Sequence, residues 1–111
     1  MSGERLPRPH PKTAVRVEIR NRRVLDDWER LLRNRRDICV RCWDHIASTP
    51  TTPVGSRYTR LKGDQAWCEF LGERLPQWQY EIDGGARVKI AVGKDFVVVM
   101  SVSTGHPKEN E

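Results

Sequence analysis

A chain of 111 residues with a formal charge of +5 can build one domain around one modest core, with no room for a second lobe. Charged residues make up 32% and apolar residues 37%, which is not the signature of a disordered chain, and no stretch approaches the roughly 20 apolar residues that cross a bilayer. Lys and Arg outnumber Asp and Glu by 20 to 15, which favours a nucleic acid or an acidic protein segment as partner, and three cysteines without a disulfide rhythm suit a reducing cytoplasm.

Residues 1–13 carry Pro7, Pro9 and Pro11 among basic residues, with no apolar segment of a secretory signal. Alternate prolines remove amide donors and block helix, so a basic, extended tail is expected, followed by a domain over 14–109. Val15 to Arg20 alternates apolar and polar residues, the period of a half-buried strand. Asn21 can cap a helix in which Val24, Leu25, Trp28, Leu31 and Leu32 recur at helical spacing. After Asn34-Arg35-Arg36-Asp37, a second stripe of Ile38, Cys39, Cys42, Trp43 and Ile46 predicts a second helix. So brief a link makes the two a hairpin laid on a sheet, with Trp28 and Trp43 in the core.

Ser48 to Ser56 reads as a loop, and Tyr58-Thr59-Arg60-Leu61-Lys62-Gly63 leads out of it. Asp64 to Leu75 fits either one helical turn or a strand and turn, and the strand is the better match to Ala66-Trp67-Cys68-Glu69-Phe70. Trp78, Tyr80 and Ile82 then alternate with Gln77, Gln79 and Glu81. Asp83-Gly84-Gly85 predicts a hairpin turn through glycines at positive φ. Arg87 to Val92 returns, Gly93-Lys94-Asp95 turns again, and Phe96 to Val102 makes a buried last strand. The order predicts an α+β fold: an N-terminal strand, a helical hairpin and a C-terminal antiparallel meander.

Four groups of residues could carry chemistry. Cys39-Val40-Arg41-Cys42 with His45 has zinc-ligand types but a single Cys pair. On a helix, both cysteines share the apolar face and pack as small core residues, so no metal is expected. Arg60 and Lys62 flank a leucine that can anchor inward, which suits phosphate contacts or a solvated basic turn. Arg87 opens a strand directly after the turn, where a guanidinium can hold an oxyanion or pair with Glu81 or Asp83. His106, between Gly105 and Pro107 and beside Lys108, is suited to proton transfer near neutrality.

In this order the features resemble the RelE/ParE superfamily of toxins from type II toxin–antitoxin systems, from about Val15 to Glu109. The helical hairpin, Leu61-Lys62-Gly63, Arg87-Val88 and the closing Gly105-His106-Pro107-Lys108-Glu109 carry the resemblance. Trp78 to Ile82 together with that close is similar to an actinobacterial branch. The resemblance implies a cytoplasmic toxin that cuts mRNA on the ribosome and is neutralised by a cognate antitoxin. It needs no metal or other cofactor, because a ribose 2′-hydroxyl attacks the adjacent phosphate. It implies that Arg87 holds the scissile phosphate, His106 or Lys108 serves as acid, base or cationic group, and Arg60 and Lys62 contact the RNA backbone. The related alternative is a gyrase inhibitor or a non-cleaving homologue acting by protein binding. Departures from the family are Gln77, Gln79 and Glu81 where several members place lysines, and the lack of a tyrosine after the last strand.

Overall fold

A computed structural model describes residues 15–104. β1 (Arg16–Ile19) leads into helix α1 (Arg22–Asn34) and helix α2 (Arg36–Ser48). Then come β2 (Tyr58–Arg60), a 3₁₀ turn (Gly63–Gln65), β3 (Trp67–Phe70), β4 (Glu73–Glu81), β5 (Arg87–Val92) and β6 (Phe96–Ser103). The strands form one mixed sheet in the order β1-β6-β5-β4-β2, with β3 pairing the first half of β4.

The predicted α+β order holds. Asn21 caps α1, its side-chain oxygen accepting from the Val24 amide at 3.0 Å, and Arg35 alone links the two helices. The meander of β4, β5 and β6 is antiparallel throughout. Two features lie beyond the sequence reading. β1 runs parallel to β6, so the helical hairpin serves as the crossover that parallel pairing requires. The segment leading out of the loop is itself a short strand, β2, paired with the last part of β4. The strand-and-turn reading of 64–75 is borne out by β3 and the Leu71-Gly72 turn.

The helices cover one face of the sheet. Leu31, Cys39, Cys42 and Ile46 meet Tyr58, Trp78, Tyr80, Val88, Ile90, Val97 and Val99 there. Ile46 is completely buried, worth about 2 kcal/mol for a side chain of this size. Trp28 is half-buried against this cluster, whereas Trp43 is 43% exposed. The expectation of a core Trp43 fails because α2 turns Cys39, Cys42, Ile46 and Ala47 inward. Trp43, one position on from Cys42, turns outward.

The hairpin turn at Asp83 has a different cause from the one expected. Neither Gly84 nor Gly85 has positive φ. Instead the Asp83 carboxylate accepts from the Gly85 amide at 2.9 Å and the Ala86 amide at 2.8 Å, so the side chain closes the turn.

Candidate functional site

The face of the sheet away from the helices is divided in two. Its lower half is apolar: Leu75, Ala91, Val98 and Met100 are buried, with Cys68, Phe70 and Phe96 packed against them. Its upper half is a polar hollow of about 340 Å³, lined by Leu61, Gln65, Gln79, Arg87, Lys89, Ser101 and Ser103.

Strand register builds this hollow. Gln79 lies opposite Lys89, and Lys89 opposite Ser101. One rank further along, Glu81 lies opposite Arg87, and Arg87 opposite Ser103. Residues paired across antiparallel strands share a face, so the six stand in two rows on the open side. A bulge between the Lys89 and Ile90 pairings resets the alternation of β6. As a result the consecutive residues Met100 and Ser101 both serve the open face, one in the apolar half and one in the hollow. Without the extra residue, Ser101 would fall on the helix side.

The 61–66 segment forms one wall, and Gln77 holds it. The Gln77 amide donates to the Ala66 carbonyl at 2.9 Å, and its carbonyl accepts from the Leu61 amide at 3.0 Å. Its side-chain amide donates to the Gln65 carbonyl at 2.8 Å. Gln77 is the one buried polar residue among those described, and the side-chain bond to Gln65 offsets the burial of its amide group. From this wall the Gln65 side-chain oxygen accepts a bond from the Lys89 ammonium at 2.5 Å, fixing that cation in the hollow.

The sequence-predicted site residues are distributed unequally. Arg87 stands in the hollow, exposed, and among the described residues it makes no ion pair. Glu81 faces it without bonding, and Asp83 is engaged elsewhere: Arg35 reaches it at 2.6 Å. The two backbone amides and Arg35 hold the Asp83 carboxyl below the usual carboxylate range. Lys62 is exposed at the edge of the 61–66 wall. Arg60 pairs with Trp78 across β2 and β4, so its side chain leaves from the helix-facing side, opposite Arg87. There its guanidinium donates to the Ala66 carbonyl at 2.8 Å and lies 4.9 Å from the centre of the Trp67 ring. His106 and Lys108 lie outside the described residues.

Lys89 was not singled out in the sequence. Its signal was present, since Lys89 is two residues after Arg87 and must share its face in a strand. Ser101 and Gln65 had no such signal: a bulge and a turn bring them in.

Cys39 and Cys42 are fully buried, and burial pushes both thiols up, so they stay protonated and packed, as expected. His45 is committed to the loop, with Nε2 2.8 Å from the Thr52 carbonyl and Nδ1 3.1 Å from the Thr49 hydroxyl. Among the described residues no His, Cys, Asp and Glu cluster could hold a metal ion, and no helix is long and apolar enough to cross a membrane.

With Glu81 opposite Arg87 at its rim, the hollow holds two cations that are in no ion pair among the described residues and two hydroxyls, a set suited to a phosphodiester. Arg87 can bridge two non-bridging oxygens, Lys89 can add a point charge, and the serines can donate hydrogen bonds.

Solved structures share this architecture. The chain is similar to a YoeB/ParE toxin from Agrobacterium tumefaciens, with TM-score 0.58 and 17% identity over 83% of this chain and 99% of that one. It is also similar to a chain of the YoeB-YefM complex from Staphylococcus aureus, with TM-score 0.58 and 9% identity over 85% and 100%. A third is a copper-bound mutant toxin from Helicobacter pylori, with TM-score 0.57 and 14% identity over 83% and 94%. No protein-family model and no curated protein matches the sequence. At these identities the likeness establishes the fold: the chain has the α+β fold of YoeB/ParE-type toxins.

Proposed function

We propose that this protein is the toxin of a toxin–antitoxin pair and cuts mRNA on the ribosome. The observation that carries the reading is the meeting of Arg87 and Lys89 with Ser101 and Ser103 in one open hollow, on a fold whose solved examples include toxins.

The reaction needs little from the protein. The 2′-hydroxyl of the substrate attacks the adjacent phosphorus and gives up its proton, and the 5′-oxygen leaves and takes one. The products are a 2′,3′-cyclic phosphate and a free 5′-hydroxyl. Negative charge grows on the non-bridging oxygens in the transition state, where Arg87 and Lys89 stabilise it. Gln65 holds Lys89 in place, so less of its freedom is lost on binding. His106 is assigned the proton transfers and Lys108 a supporting charge, both on the chain that follows β6. Lys62 is assigned backbone contacts with the RNA, and Arg60, on the other side of the sheet, reinforces the 61–66 wall through its bond to Ala66. The partners in this reading are the ribosome with its mRNA and a cognate antitoxin; the Staphylococcus aureus relative is found in a YoeB-YefM complex.

The test is inducible expression in bacteria, with growth and transcript ends followed together. Growth arrest with new cuts inside translated frames is expected, and both should disappear in Arg87→Ala. Arrest without cleavage would replace this reading with a gyrase inhibitor or another protein-binding toxin. No arrest would remove the toxin assignment.

A further inference from the structure

Helix α2 lays Cys39, Cys42 and Ile46 on the sheet and shows a second, unpartnered stripe to the outside. Val40 and Trp43 are each 43% exposed there. With Trp28 and Leu32 of α1 they line a shallow groove of about 290 Å³, bounded by Arg36 at one end and Asp44 at the other. Val and Trp at this exposure are unfavourable on a monomer surface when they adjoin other apolar groups.

The charges at the ends are complementary to a second copy of the same helix. Arg36 stands four residues before Val40 and Asp44 four residues after it. The three lie along one face of the helix, Arg36 and Asp44 about 12 Å apart by the helical rise. Neither end residue is in an ion pair among the described residues, and at that separation they cannot pair with each other. An acidic helix laid here would meet Asp44 with the wrong sign, and a basic one would meet Arg36. A second α2 laid antiparallel, with a two-fold axis at Val40, satisfies both. Val40 then meets Val40, each Arg36 faces the partner's Asp44, and the two Trp43 side chains fill the grooves beside the axis. A stripe that is complementary to itself under rotation is the requirement for an isologous interface.

We propose that the chain forms a two-fold dimer through the outer face of α2. Helices packed this way approach to about 8–10 Å. One helix pair with its flanking tryptophans is at the small end of specific interfaces, so the dimer is concentration-dependent. The phosphodiester hollow is on the opposite face of the sheet and stays open in the dimer. Association through α2 is independent of cleavage in the hollow and is read without activity.

The full-length protein, purified without a partner, is followed by sedimentation velocity across the micromolar range. The wild type is expected to shift from monomer to dimer. Val40→Asp, which sets two carboxylates against each other on the axis, should remain monomeric throughout. Arg36→Asp and Asp44→Arg should each weaken association about tenfold, and the double exchange should restore it, because the pair is regenerated between copies. All three positions changed are exposed, and unchanged thermal melting confirms the fold. A wild type that is monomeric at every concentration overturns the proposal. So does a dimer indifferent to Val40→Asp, or a double exchange that behaves as the sum of its singles.

Discussion

Arg35 and Asp83 meet at 2.6 Å, joining the single residue between the helices to the turn that launches β5. The same carboxylate accepts from the Gly85 and Ala86 amides, so one side chain ties the helical hairpin to the turn just before Arg87. Arg57 supports the same end by donating to the Glu81 and Ile82 carbonyls at 2.8 and 3.1 Å.

Asp83→Ala removes all three bonds and should cost about 1–3 kcal/mol in chemical denaturation at neutral pH. Asp83→Asn keeps a turn acceptor and should cost less. Because the folded-state pKa of Asp83 is depressed, its contribution is present above the unfolded carboxylate value and lost as pH falls through the folded one. The gap between wild type and Asp83→Asn should therefore close as the pH drops below the ordinary carboxylate range. A gap that persisted in strong acid would refute the assignment to the carboxylate charge.

Arg87→Ala should lower cleavage by about 100- to 1000-fold, the scale for losing one group that stabilises transition-state charge. Melting should be unchanged, because the side chain is exposed. Lys89→Ala should lower cleavage less, and Gln65→Ala should move it in the same direction, since the Gln65 side chain holds Lys89. Cleavage kinetics of purified variants on programmed ribosomes decide this. In growing cells, Arg87→Ala and His106→Ala should each relieve arrest, and a double variant as toxic as wild type would remove the site.

Tyr58 is completely buried, its hydroxyl donating to the Pro50 carbonyl at 2.6 Å and its ring stacked on Trp78 at 4.9 Å. Tyr58→Phe leaves that carbonyl short of a donor and should cost about 1 kcal/mol. Tyr58→Ala empties the core beneath α2 and should cost about 3–5 kcal/mol. Thermal or urea melts separate the two.

Leu71 offers the opposite opportunity. It is 88% exposed and sits at φ 51°, in the left-handed region that residues with a Cβ disfavour. Followed by Gly72 at φ 84°, it occupies the first central position of a tight hairpin turn. Leu71→Asn supplies the Asn-Gly pair this turn prefers and should raise stability by about 1 kcal/mol. A destabilised variant would mean that Leu71 makes a contact the fold depends on.

Much of this architecture was legible in the amino-acid order because it rests on local period and local chemistry. The helical stripe ending at Leu32, the Asn21 cap and the alternation of Trp78, Tyr80 and Ile82 each reflect one element deciding which face it hides. Arg87 was also legible, since a cation at the start of a strand after a tight turn keeps its exposure in almost any packing. Tertiary structure decided the rest. Whether Trp43 or Cys42 meets the sheet depends on how α2 is rotated over it, and rotation is set by the partner surface. The face taken by Arg60 depends on pairing with Trp78, in a strand too short to reveal its own phase. Ser101 and Gln65 reach Lys89 only through a bulge and a 3₁₀ turn anchored by Gln77. Sequence period determines what a side chain avoids; register between distant strands determines what it meets, and a site is made of meetings.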